Sequence, residues 1–313
     1  MSEHERYTSA KAVESAIASA ARTATAADPS LTVQERIRLE YFNRFLSRVF
    51  SESAGSDWML KGGTSMLARV PNARSTTDVD LYRANQTIDA ALADLRRLAA
   101  IDLGDFLRFE YTGHRNAVGG EQQTYTEGYS VHFDVYVGAK LKDQLRVDLV
   151  VNVPTTDVPD IALPANALPL PKLPSYPYRL YPVVDQIADK VCATLTLYSG
   201  HRSSRVKDLV DLVVLAVSQD VDAAKLLRAL QVEALSRGLD LPPVSRSLGA
   251  GVLSTRSSRR HFLRARSSAT PNRPQPSSAG SLIRSSPTRL PARPGATGIA
   301  PGCDHPGGAG LSY

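Results

Sequence analysis

Cysteine is almost missing from this chain: its 313 residues include two, Cys192 and Cys303. That excludes a disulfide framework and any four-cysteine zinc site. No run of ~18 apolar residues occurs, so no membrane-spanning helix is expected. The opening Met1-Ser-Glu-His-Glu-Arg6 lacks the apolar stretch of a secretory leader. No Gly-x-Ser-x-Gly elbow is present and the six histidines show no partner pattern, which argues against serine-nucleophile hydrolysis. A soluble, cytoplasmic protein is expected, long enough for one large domain or two ordinary ones.

Lysine stops at Lys225, and the charge balance changes with it. The formal net charge is +6, but residues 244–313 alone carry ten Arg, one Asp and no Lys or Glu. The preceding 243 residues hold 27 basic and 30 acidic side chains and are slightly acidic. The basic character therefore belongs to the tail and is no argument that the folded part binds nucleic acid. Of the 70 residues in that tail, 40 are Ser, Arg, Gly or Pro, a composition that predicts disorder. It reads either as an out-of-frame stretch of a GC-rich gene or as a true basic tail.

Residues 1–31 are rich in Ala, Ser and Thr and predict a weakly ordered segment, with at most a weak helix at 9–26. Thr32-Val-Gln-Glu35 has the form of a capping box, so a helix is expected from there to about Phe50. Trp58-Met-Leu-Lys61 is a short apolar run closed by Gly62-Gly63, followed by a short helix that Pro71 must end. Thr77-Asp-Val-Asp-Leu-Tyr82 alternates with the period of a strand, which places Asp78 and Asp80 on one face. A helix at 87–100 and antiparallel strands at 107–112, 130–137 and 145–151 follow, with Gly119-Gly120 as a turn. Residues 153–177 are Pro-rich and irregular. Helices are expected at 183–197, 205–217 and 221–237, with loops at 198–204 and 218–220. Strands first and helices later make an α+β protein with a C-terminal helical part.

Three features carry chemistry. Gly62-Gly63-Thr64-Ser65 lies between strand and helix, where backbone amides can approach a phosphate; many ordinary strand–helix turns also contain two glycines. Asp78 and Asp80 repel unless a cation lies between them, and hard Mg²⁺ suits oxygen ligands; a solvated edge strand would look the same. Arg146-Val-Asp148 puts one carboxylate in an otherwise apolar strand, where it needs a partner. A metal shared with Asp78 and Asp80 is one such partner, and Arg146 is the purely structural alternative.

In order, these features resemble the DNA polymerase β-type nucleotidyltransferase superfamily. The longer strings Leu60-Lys-Gly-Gly-Thr-Ser-Met-Leu-Ala-Arg69 and Arg74-Ser-Thr-Thr-Asp-Val-Asp-Leu81 narrow the resemblance to the AbiEii/AbiGii (MenT-like) toxin family. Tyr181-Pro-Val-Val-Asp-Gln-Ile-Ala-Asp-Lys190 and Arg205-Val-Lys-Asp-Leu-Val-Asp211 resemble later blocks of that family, so the likeness spans roughly residues 35–240. It implies a nucleotidyltransferase-like mixed sheet with flanking helices. The expected division is a catalytic domain at 32–152, a linker and helical domain at 153–243, and the tail at 244–313.

The resemblance implies transfer of a nucleoside monophosphate from an NTP to the 3′ acceptor end of tRNA, which blocks translation, and a cognate antitoxin as partner. Asp78, Asp80 and Asp148 would hold Mg²⁺, Gly62, Gly63, Thr64 and Ser65 would cradle the phosphates, and Lys190 would offset charge on the leaving pyrophosphate. Asp211 would orient the acceptor or act as base, with Asp208 as the weaker choice. Arg69, Arg74, Arg202, Arg205 and Lys207 are further candidates for phosphate contacts, each otherwise an ordinary surface cation. A protein acceptor, or a catalytically silent NTP- or RNA-binding module, remains open beside this reading. Cys192 reads as a small core residue.

Overall fold

The computed structural model describes residues 6–52, 57–70, 76–116, 128–198, 201–202 and 206–240. All of them fall in the first of the two units into which the chain divides, Met1–Arg264. The tail from 244 onwards and the Gly119-Gly120 turn lie outside the described residues.

Two helices open the fold. The first, α1 (Ala10–Ala27), is capped by Ser9, whose hydroxyl accepts from the Ala12 amide at 3.2 Å. Its Val13, Ile17 and Ala21 recur every fourth residue and are buried, so the small apolar stripe is a packing face rather than the weakly ordered segment expected for 1–31. The capping box of Thr32 forms as its sequence predicts and starts α2 (Val33–Val49): the Glu35 amide donates to the Thr32 hydroxyl, and the Glu35 carboxylate accepts from the Thr32 amide.

The sheet that follows has seven strands. In chain order they are β1 (Trp58–Leu60), β2 (Val79–Arg83), β3 (Leu107–Asn116), β4 (Gly128–Val137), β5 (Lys140–Val151), β6 (Asp160–Ala162) and β7 (Tyr178–Leu180). Across the sheet the order is β3-β4-β5-β2-β1-β7-β6. The β3–β4–β5 meander is antiparallel, as the alternation predicts, whereas β2 runs parallel to β5 and β1 parallel to β7. The expected α+β class with a mixed sheet is what the chain adopts. Two short helices connect the strands, α3 (Gly62–Arg69) after β1 and α4 (Ile88–Ala99) after β2. The Pro-rich stretch is not wholly irregular, since β6 forms within it. A three-residue edge strand is too short to leave a periodic signal in sequence.

Alternate residues of the meander, among them Val131, Phe133, Val135, Leu145, Val147 and Leu149, form one apolar face. Phe45 of α2 packs there against Phe109 and Phe133, with ring centroids 5.3 and 5.1 Å apart. The opposite face of these strands carries the polar alternates, Asp148, Arg146, Ser130 and His132 among them, and is the face on which chemistry is possible.

Three helices close the described chain: α5 (Val183–Leu195), α6 (Val206–Ser218) and α7 (Ala223–Ser236). Between α5 and α6, where a loop is expected, a small hairpin forms from β8 (Leu197–Tyr198) and β9 (His201–Arg202). Val184 and Ala188 of α5 pack on Ala229 of α7. Cys192 is fully buried on α5, and burial pushes its thiol up to about 11. Among the described residues no helix is long and apolar enough to cross a membrane.

The fold's most committed polar contact joins α2 to the approach of β3. Arg48 and Asp105, both with no exposed surface, form a two-pronged pair at 2.9 and 2.7 Å, and Arg48 also donates to the Leu107 carbonyl. Removing one member leaves a buried charge unpaired, whereas removing both leaves an apolar gap. Arg48→Met is expected to lower unfolding free energy by about 3–5 kcal/mol in a urea titration. The double variant Arg48→Met/Asp105→Leu should recover much of that loss. A single variant within ~1 kcal/mol of the parent would show that the pair is not isolated from water.

Candidate active site

Strand register builds the first half of the site. Because β2 lies parallel to β5 with Asp80 directly beside Asp148, two carboxylates from distant parts of the chain meet on one face. Asp78 precedes β2 and points toward the same region, where Thr76 donates to its carboxylate at 3.0 Å. Three carboxylates on one face raise the cost of ionising each. Burial, then Asp78 and Asp148, push Asp80 up to about 7, while Lys61 and the Gly63 amide oppose that shift. Asp148 is likewise held above the usual carboxylate range by burial and by Asp78, against Arg146, Ser130 and His132.

The glycines have a specific steric duty. Gly62 adopts φ +56°, and a side-chain carbon there would collide with the Asp80 carboxylate. Only a residue without Cβ allows that approach in that backbone conformation. The Gly63 amide, at the start of α3, donates to Asp80. Thr64 donates its hydroxyl to the Asp78 carbonyl at 2.8 Å and is buried, and Ser65 is buried completely. Of the four residues expected to cradle phosphate, then, Gly62 and Gly63 line the pocket, while Thr64 braces Asp78 and Ser65 lies in the interior.

The helical part supplies the second half. Gln186 of α5 donates to the Gly62 carbonyl at 3.1 Å and so ties α5 to the glycine turn. One turn further on, Lys190 is buried rather than extended to solvent. Its ammonium donates to Asp208 at 3.0 Å and to Asp211 at 2.7 Å, both on α6. Asp211 itself is 1% exposed, which leaves its i, i+3 neighbour Asp208 nearer the surface.

These elements enclose a cavity of about 290 Å³, lined by Gly62, Gly63, Thr76, Thr77, Asp78, Asp80, Asp189, Lys190, Lys207 and Asp208. The chain thus brings the glycine turn, the paired carboxylates and the Lys190 helix to one place. Asp148 adjoins the cavity through its strand neighbour Asp80, and Asp211 sits behind it. Arg69 is engaged elsewhere, paired with Asp160 and donating to the Tyr181 carbonyl at 2.7 Å. Arg74 and Arg205 lie outside the described residues, as does the side chain of Arg202.

Among the described residues, no three His, Cys, Asp or Glu side chains stand together in a metal-holding arrangement. The Arg146 guanidinium instead bridges two of the expected ligands, Asp78 and Asp148. A cation is therefore already among these carboxylates, and the donors are the hard oxygens that a divalent ion such as Mg²⁺ takes. In chemistry and charge the residues fit such an ion.

Thr76, Lys61 and Gln186 were not legible as site residues. Lys61 sits immediately before the glycine pair, which is the one signal that pointed to it; Thr76 and Gln186 reach the site through tertiary contacts that leave no pattern in sequence.

The raised proton affinity of Asp80 has a direct consequence for stability. Its folded value, about 7, lies above the ordinary 3.8, so the folded chain holds this proton more tightly than the unfolded one. The destabilisation due to Asp80 is then absent below about pH 4, grows as pH rises toward 7 and is constant above it. In metal-free buffer Asp80→Asn should raise the melting temperature at pH 8, with the gain fading toward pH 4. A gain of equal size at both pH values would contradict this origin.

A family profile described as the nucleotidyl transferase AbiEii toxin of the type IV toxin–antitoxin system matches residues 44–281. The match runs past the described residues into the stretch where Lys and Glu have vanished. A comparison with curated proteins gives no match. Among solved structures, the nucleotidyltransferase toxin MenT4 from Mycobacterium tuberculosis is 16% identical over 74% of this chain and 75% of its own, with a TM-score of 0.49. JHP933 from Helicobacter pylori is 14% identical over 76% of this chain and 99% of its own, with a TM-score of 0.38. At such values these likenesses say nothing about what the site acts on. The profile match covers most of the sequence, and on that ground the chain belongs to the AbiEii nucleotidyltransferase toxin family of type IV toxin–antitoxin systems.

Proposed function

We propose that this nucleotidyltransferase transfers a nucleoside monophosphate from an NTP to the 3′ end of tRNA in a Mg²⁺-dependent reaction, in the cytoplasm, and that a cognate antitoxin restrains it. The observation that carries the reading is the shared cavity: Gly62-Gly63, Asp78 and Asp80, and Lys190 with Asp208 line one space although they are far apart in sequence.

Asp78, Asp80 and Asp148 would hold the metal, which when bound neutralises triphosphate charge and lowers the pKa of a coordinated hydroxyl. Gly62 and Gly63 line the cavity with backbone packed against Asp80, so a triphosphate entering there meets backbone and that carboxylate together. Lys207 lines the cavity and supplies a positive charge for its outer phosphates. Lys190 is held by Asp208 and Asp211, so its ammonium is fixed in direction and offsets negative charge on the leaving pyrophosphate. Asp211, expected to orient the acceptor or act as base, is buried behind Lys190, and in this reading it acts by positioning that lysine. The proton of the attacking hydroxyl passes to Asp148, whose side chain is 34% exposed beside Asp80. In balance, the hydroxyl oxygen bonds to the α-phosphorus as the bond to the β-phosphate oxygen breaks, and pyrophosphate leaves.

The test is incubation of the full chain with total tRNA, Mg²⁺ and each labelled NTP in turn. Label from one nucleotide should appear on tRNA with release of pyrophosphate, and should fall to background with EDTA and in Asp80→Ala. If a folded protein binds Mg²⁺·NTP yet labels no RNA, tRNA is the wrong acceptor, and label on protein would then identify a protein substrate.

A further inference from the structure

Arg146 stands where the metal reading needs a dication. It lies two residues before Asp148 on β5, so both side chains share one face of the strand. Its guanidinium donates to Asp78 and, at 3.4 Å, reaches Asp148. Those carboxylates belong to different elements, one before β2 and one within β5, and a single side chain bridges them. On the neighbouring β4, Ser130 lies opposite Asp148 and His132 opposite Arg146.

Exposure shows how firmly the bridge is held. The side chain of Arg146 is 47% exposed, against 21% for Asp78 and 34% for Asp148. An ion pair this open to water is weak and readily exchanged. The contrast with Arg48–Asp105, closed on every side, is informative: one pair is built to stay and the other can part. Arginine keeps its proton at every accessible pH, so it can yield the carboxylates only by moving its side chain.

We propose that Arg146 is the resident counter-cation of this site. It holds Asp78 and Asp148 in place when no metal is bound and is exchanged for a divalent ion on loading, so it sets the affinity for that ion. The inference rests on the reading of Asp78, Asp80 and Asp148 as metal ligands. Guanidinium and dication compete for the same oxygen lone pairs, so the metal binds more weakly than the bare carboxylates would allow. Arg146 is in this sense a positioning residue, acting on the ligands and not on the substrate.

The test is Mn²⁺ binding to the full chain without nucleotide, followed by electron paramagnetic resonance, in the parent, Arg146→Gln, Arg146→Lys and Asp80→Asn proteins. Removing the competitor should tighten Mn²⁺ about tenfold in Arg146→Gln, with Arg146→Lys shifted in the same direction by less because it keeps a positive charge beside the carboxylates on a shorter side chain. Asp80→Asn should lose binding. The melting temperature of Arg146→Gln should lie below the parent's in EDTA and converge on it as Mn²⁺ is added. Should Arg146→Gln fail to fold, the lysine variant carries the comparison alone. Equal or weaker Mn²⁺ affinity in the folded Arg146 variants, with binding still lost in Asp80→Asn, overturns the inference and leaves the metal reading standing. No Mn²⁺ binding by any of the four proteins overturns both.

Discussion

The parallel register of β2 against β5 places Asp80 beside Asp148, and much of the surrounding structure answers the repulsion that results. Lys61 and the Gly63 amide favour the charged form of Asp80, and Arg146 spans Asp78 and Asp148. Thr76 and Thr64 fix Asp78 from its side chain and its carbonyl. Burial nonetheless outweighs these partners at Asp80, whose proton affinity stays raised. Like charges gathered at the cost of stability are a mark of a site that expects a further cation or an anionic ligand carrying one. The glycine turn follows from the same constraint, since its backbone could not come so close to Asp80 with a side chain on Gly62.

A second buried charge cluster fastens the helical part to that sheet. Lys190 joins Asp208 and Asp211 across α5 and α6, with Lys190 and Asp211 nearly inaccessible to water. Such a network contributes little net stability compared with apolar packing of equal volume, but breaking it by removing one partner is costly. Its value is directional: it allows α5 one rotation, in which Gln186 reaches the Gly62 carbonyl and Lys190 the cavity. The site thus depends on two layers of the fold meeting at fixed angles.

Much of this was legible in sequence, and the reasons are local. A capping box is satisfied within four residues, so Thr32 and Glu35 announced α2 without help from the rest of the chain. Period-two alternation located β3, β4 and β5 because one face of each is buried. The parallel pairing of β2 with β5 was not legible, for it depends on which strands become neighbours, and alternation is the same in either direction. The short β6 left too few residues for a pattern. At the site, residue types named Asp78, Asp80 and Asp148 as a group. The burial of Ser65, the bracing role of Thr64 and the diversion of Arg69 to Asp160 are tertiary facts that spacing does not encode.

The helix α6 shows why pattern and site part company. Val206, Leu209, Val210, Val213 and Val217 are all exposed, while Asp211 is buried. By hydrophobic pattern alone the valine-rich face should turn inward and the carboxylates outward. The structure instead turns inward a face on which Asp211 lies beside Leu215, because Lys190, buried on α5, needs anionic partners and an unpaired buried ammonium is costly. The charge pair thus shares the buried face with Leu215, and the exposed valines lie on the other sides of the helix. A helix that buries a carboxylate beside Leu215 while leaving a row of aliphatics exposed departs from a simple amphipathic pattern, and such departures concentrate where a protein's chemistry is done. Here α6 lines the cavity with Lys207 and Asp208 and buries Asp211 against Lys190, so one helix serves both the charge pair and the site.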